Sequence, residues 1–195
     1  QVVGMGLSLG LSIILARQLE PSQFGIYSYA LALVTLISVP VQLGLPTLVV
    51  RETTRLLYEN NTRRMLALWR WSALIAFLAS SVIFTAVLLL GSLIFAAYIT
   101  KSLLVTTVLL VPLLTLGMLR AAALRGLGHV VKGQIPETII RPGLILLLLL
   151  AILGLGHEID ALSAMVLNVV GTSLTFVAGA LMLARAAPLS RSGMA

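Results

Sequence analysis

Between Phe24 and Val50 the chain runs for 27 residues without an aspartate, glutamate, lysine, arginine or histidine. As an α-helix that stretch rises about 40 Å, more than the roughly 30 Å of a bilayer's hydrocarbon core. Pro40, Pro46 and a lone amide, Gln42, interrupt it. A proline cannot donate to the carbonyl four residues earlier, so Pro40 frees the carbonyl of Leu36 and Pro46 that of Gln42. In hydrocarbon a freed carbonyl persists only where protein or a watery cavity covers it. The sequence therefore predicts a helix bent between Leu36 and Pro46, with Gln42 facing a central cleft.

The rest of the chain has the same character. Hydrophobic residues make up 59% of it and charged residues 10%, against about 45–50% and 25% in soluble domains. A chain of 195 residues has too little interior to hide that much apolar surface from water. The class is all-α, a polytopic membrane protein. Spans are expected at 1–16, 24–50, 71–100, 102–127, 136–155 and 161–184, six helices forming a single transmembrane lobe over 1–195. Residues 1–16 are too short to cross and are expected to be the later part of a longer helix. The net charge of +7 does not indicate nucleic acid, because aromatic residues are few and the basic ones lie scattered between apolar spans. With no cysteine, disulfides and thiolate metal sites are excluded.

Two blocks carry a resemblance. The first is Ala16-Arg17, then Leu19-Glu20-Pro21-Ser22-Gln23-Phe24-Gly25-Ile26-Tyr27, the long apolar span, and Leu43-Gly44-Leu45-Pro46 closed by Arg51. The second is Leu119-Arg120, Ala123 to Gly128, Ile135-Pro136-Glu137 and Arg141-Pro142. The chain resembles the oligosaccharide flippases of bacterial envelopes, the O-antigen and exopolysaccharide members of the MOP superfamily that also holds MATE drug exporters. That resemblance implies a MATE-like twelve-helix transporter of which this chain is the N-terminal lobe. It implies a polyprenyl-pyrophosphate-linked oligosaccharide as cargo, moved by alternating access across the bacterial inner membrane for envelope polysaccharide biosynthesis. The expected partners are that glycolipid, the bilayer and a second six-helix lobe, with no nucleic acid. The rival readings are a drug or small-cation exporter of the same fold and a non-transporting scaffold of a glycan-assembly complex.

Nothing in the sequence converges for catalysis. His129 and His157 fall on opposite sides of the predicted topology, no span holds a pair of carboxylates, and Asp160 reads as a helix cap. The expectation is no enzyme, no metal and no cofactor.

The arginines are more informative. Arg17, Arg51, Arg120, Arg125 and Arg141 lie at or just inside helix ends. There a guanidinium either snorkels to headgroups or faces a cavity. Guanidinium groups suit pyrophosphate because they keep their charge and bind oxygen pairs in a planar fork. The candidate substrate-binding residues are Arg51, assisted by Arg17 or Arg120, with Gln42 among the amide and aromatic groups (Tyr27, Tyr29, Trp71) suited to sugar. Flippases of the resembling kind often carry Asp where this chain has Gln42, and an amide there cannot take up a coupling proton or sodium ion. Glu137 and Arg141, four apart, are expected to pair along one helix.

Eleven of the 13 lysines and arginines fall in 51–70, 120–141 and 185–195, leaving Arg17 and Lys101 for the other side. The positive-inside rule then puts those segments and both termini in the cytoplasm. Single cysteines at Asn60, Lys132 and Ser190 are expected to resist an impermeant thiol reagent in intact cells. Cysteines at Ser22, Ser102 and His157 are expected to react, and labelling at Asn60 would reverse the orientation.

Overall fold

The computed structural model describes residues 2–42, 44–94, 100–156 and 158–186. Among these every regular element is helical: α1 (Val2–Gln18), α2 (Pro21–Gln42), α3 (Leu45–Tyr58), α4 (Thr62–Ile94), α5 (Lys101–Gly126), α6 (Val130–Ile135), a π turn (Pro136–Ile140), α7 (Arg141–Gly154) and α8 (Ala161–Ala186). Five stretches are long and apolar enough to cross a membrane: α2, α4, α5, α6 through α7, and α8. Helix α1 is apolar but shorter. The chain is an all-helical, multi-pass membrane protein. His157, Tyr98 and Ser190 lie outside the described residues.

The long apolar run is two helices, which corrects the single span expected over 24–50. Helix α2 passes through Pro40 and ends at Gln42. Gly44 adopts φ 72°, and α3 restarts with Pro46 in its first turn. A left-handed glycine followed by a proline stops one helix and starts another. The break falls inside the Leu36–Pro46 window; the direction of the Gln42 side chain lies outside what is described.

The polar segment 51–70 is not a loop either. Helix α3 continues to Tyr58, and Asn60 turns the chain with φ 53°. Asn61 accepts the backbone N–H of Arg64 at 3.2 Å to begin α4. That turn separates Glu59 from Arg63, so Glu59 pairs instead with Arg55 at 3.0 Å on its own helix. Helix α3 is amphipathic. Val49 and Thr53 face inward, whereas Arg51, Glu59 and Tyr58 face outward.

Helix α5 is the most buried span and packs against α2, α3, α4, α6 and α8. Small residues set how closely these helices approach. A Cβ at Gly126 would lie 2.6 Å from Thr53, one at Gly133 2.8 Å from the carbonyl of Ala121, and one at Gly171 2.5 Å from Ile145. Thr54 hydroxyl also meets the Gly126 carbonyl at 3.1 Å, joining α3 to the end of α5. At the other end of the bundle Gln23 accepts the backbone N–H of Ala161 at 3.2 Å, so the 59–61 and 127–129 turns share one end and the 19–20 and 155–160 connections the other.

Asp160 is the N-cap of α8, accepting the Ser163 backbone N–H at 2.8 Å. Hydrogen bonds from Ser163 hold its carboxyl below the usual carboxylate range. The cap's stabilisation is therefore present above the ordinary carboxyl pKa and is lost as pH falls through the lowered one.

The fifth span contains the least regular helix. Pro142 lacks an N–H and its ring crowds the carbonyl of Thr138. The preceding turn widens to i→i+5 bonding, with the Arg141 N–H reaching the carbonyl of Pro136. Helix α1 settles on this turn and on α7. Its Gly4 sits so close to the Thr138 carbonyl that no Cβ fits between them.

Gly171→Ala is expected to destabilise the α7–α8 contact by about 1–3 kcal/mol, as overpacking does. Gly143→Ala, whose Cβ would find nothing nearer than 3.9 Å, should change stability by less than about 0.5 kcal/mol. Thermal unfolding in detergent reads both. In the double variant Gly171→Ala/Ile145→Ala the loss should fall short of the sum of the single losses, because the second change removes the group the first one strikes.

Candidate functional site

Arg120 lies on α5 six residues before its last residue, Gly126, about 9 Å along the axis. Its side chain is only 5% exposed. Charge at that depth among apolar helices needs partners, and three elements supply them. From the π turn, Glu137 places Oε1 3.8 Å from Nη2. From α8, the Phe176 carbonyl accepts from Nη1, and the Phe176 ring lies under the guanidinium carbon at 5.0 Å. A cation over an aromatic face is held by the ring's quadrupole.

Glycines make room for both charged groups. Gly179, one turn beyond Phe176, faces the guanidinium so closely that any side chain would collide with it, and a Cβ at Gly117 would stand 2.6 Å from Glu137 Oε1. Gly117 and Arg120 are three apart on α5, hence on one face.

The guanidinium is not saturated. Its Nε is buried and has no hydrogen-bond partner among the described residues. The group borders a cavity of about 330 Å³ between α3, α4, α5 and α8, walled mainly by apolar side chains such as Val49, Leu119 and Ala180. Trp69 forms part of the wall, its indole N–H donating to Thr53 Oγ1 at 3.0 Å. A fixed cation at the wall of an apolar cavity can hold an anionic oxygen, and low polarity around it strengthens that contact.

Arg51 and Arg17 do not converge on this point. Arg51 is on the outer face of α3, its side chain 84% exposed, with Glu52 at 3.5 Å. Arg17 is exposed at the end of α1, where Gln18 borders the same pocket as Glu158 and Asp160; that is the opposite end of the bundle from Arg120. Gln42 ends α2. Tyr27 is buried and accepts the Asn168 amide at 2.8 Å, binding α2 to α8, while Trp71 is exposed on α4.

The expected Glu137–Arg141 pairing is replaced by Glu137–Arg120. Glu137 lies in the π turn and packs over Gly117, which turns its carboxylate toward α5. Arg141 stays within electrostatic range of Glu137 and Tyr27, and its buried Nε also lacks a hydrogen-bond partner among the described residues. The sequence pattern pairs Arg120 with neither the carboxylate of Glu137 nor the ring of Phe176. Gly117, three residues before Arg120 on the same helical face, was the available signal.

The family model described as polysaccharide biosynthesis protein matches residues 1–191. Neither the curated proteins nor the solved structures provide a match to the chain.

Removing one member of a buried ion pair strands the other, at a cost of about 3–5 kcal/mol, whereas replacing both with uncharged groups is often close to neutral. Glu137→Gln alone is therefore expected to lower the melting temperature strongly, and Arg120→Met/Glu137→Gln to recover most of the loss. Thermal unfolding of the purified variants checks this. Equal destabilisation by the single and double changes would show that the pair is not what holds Arg120 in place.

Proposed function

The chain belongs to the polysaccharide biosynthesis protein family, and from that membership we propose that it translocates a polyprenyl-pyrophosphate-linked oligosaccharide across the bacterial inner membrane. In this reading the spans form one MATE-like lobe that works against a second lobe by alternating access, with the basic end of the bundle in the cytoplasm. The observation that carries the proposal is Arg120, a buried guanidinium at the wall of an apolar cavity. Of the three arginines named from sequence, it is the one whose surroundings suit a diphosphate rather than water. The cavity takes the anionic head of the carrier, and the polyprenyl chain stays in lipid.

The charge inventory favours an anionic cargo over the cationic drug of the rival reading. Among the described residues, Glu137 is the one carboxylate within the five membrane-crossing stretches, and it is paired with Arg120. With Arg120 and Arg141 both near that single carboxylate, the local charge is positive, which suits an anion better than a cation.

Charge-assisted hydrogen bonds contribute about 1.5–3 kcal/mol each, or roughly ten- to a hundredfold in affinity. Arg120→Gln should accordingly reduce glycan export about tenfold or more at wild-type protein abundance, and Arg120→Lys should retain part of it because charge survives while the fork is lost. Arg51→Gln, on an exposed face beside Glu52, should stay within about twofold of wild type, in keeping with the small contribution of surface charges. Surface glycan measured in cells carrying each variant is the readout. Full export by Arg120→Gln, or loss by Arg51→Gln, would move the anion site off α5.

A further inference from the structure

Glu137, the partner of Arg120, also lines a groove of about 660 Å³ between α1 and the π turn, with Gly4, Ser8, Ser12, Thr138 and two apolar side chains of α1. Gly4, Ser8 and Ser12 recur every four residues and so share one face of α1. Gly4 meets the backbone of Thr138, which fixes α1 against the turn.

The polar groups of this groove are all acceptors. Each hydroxyl donates its proton to its own helix: Ser8 to the Gly4 carbonyl at 3.0 Å, Ser12 to that of Ser8 at 2.9 Å and Thr138 to that of Gln134 at 2.9 Å. What remains for a neighbour is lone pairs. The carboxylate of Glu137, paired with Arg120 at 3.8 Å, adds further acceptor oxygens. Lipid tails have no donor to offer these lone pairs, whereas a polar ligand does.

We propose that this groove is a saccharide subsite, in which sugar hydroxyls donate to the Glu137 carboxylate and to the oxygens of Ser8, Ser12 and Thr138. The proposal rests on the transport reading above and adds to it the location of the glycan. A polyhydroxylated ligand supplies the many donors that the groove lacks. A metal ion fits less well, since the groove offers one carboxylate and no group of three or more metal-binding side chains occurs among the described residues. The pyrophosphate and the first sugars are contiguous in the substrate; Arg120 borders the cavity, and Glu137, 3.8 Å from it, lines the groove.

The absence of cysteine from the chain allows a direct test. Ser12→Cys, with Ser8→Cys as a second variant, is reconstituted in proteoliposomes and treated with a water-soluble maleimide. The introduced thiol is expected to react. Lipid-linked oligosaccharide from the native membranes, at ten times its half-saturating concentration, is expected to slow the reaction roughly tenfold, whereas polyprenyl pyrophosphate without sugar leaves it unchanged. Resistance of both thiols to the reagent would place the groove in lipid and overturn the proposal, and so would equal protection by the sugar-free carrier. Tryptophan fluorescence, with Trp69 at the Arg120 cavity, reports carrier binding separately. A fluorescence response with no protection of the thiol overturns the saccharide subsite and leaves the transport reading standing. No response in either signal overturns both.

Discussion

A guanidinium cannot sit among apolar helices unless the surrounding chain is arranged for it, and much of the bundle's geometry follows from Arg120. Its head is held by a carboxylate from the π turn and by a carbonyl and ring from α8. Those contacts exist only because Gly117 and Gly179 leave space where any other residue would place a side chain. Helix α5 is thereby fixed against α8 and the π turn at one depth. Apolar packing alone does not set such a register, because lipid tails are as apolar as leucine and offer little preference between one helix position and another.

The π turn is the second half of the same arrangement. Pro142 makes a regular helix impossible at this point, and a widened turn is a common way to absorb such a defect at functional sites. Here it carries Glu137 and presents it to α5 on one side and to α1 on the other. One irregularity thus serves a packing need and a chemical one, with Gly4 of α1 seated against the Thr138 carbonyl that Pro142 cannot donate to.

Much of this was legible from the residues. Runs of apolar residues longer than a bilayer is thick leave few alternatives to membrane helices, and the all-helical fold follows from that. Pro40, Gly44 and Pro46 marked the interruption of the first long run, and Asp160 marked the start of α8. What escaped was the consequence of local irregularity for side-chain direction. The rule that residues four apart share a face presumes an α-helix. It joined Glu137 to Arg141, but the turn between them is wound i→i+5. A spacing of four would likewise join Glu59 to Arg63, but Asn60 turns the chain between them. Arg51 and Arg120 look alike in sequence, each an arginine near a helix end; amphipathic α3 turns one outward, and the glycines of α5 and α8 enclose the other.

The interruption at Gly44 has a mechanical meaning. Helix α2 is tied to α8 through Tyr27 and Asn168 and through Gln23 and Ala161. Helix α3, its immediate successor, is tied instead to the far end of α5 through Thr53, Thr54 and Gly126, and to α4 through Trp69. Both helices pack on α5, but their polar ties run to different neighbours, and the short link between them contains a glycine free of the steric limits that stiffen other residues. Any rocking of the α3–α4 pair relative to α2 would concentrate its torsion at that link, leaving the hydrogen-bond ladders on either side intact.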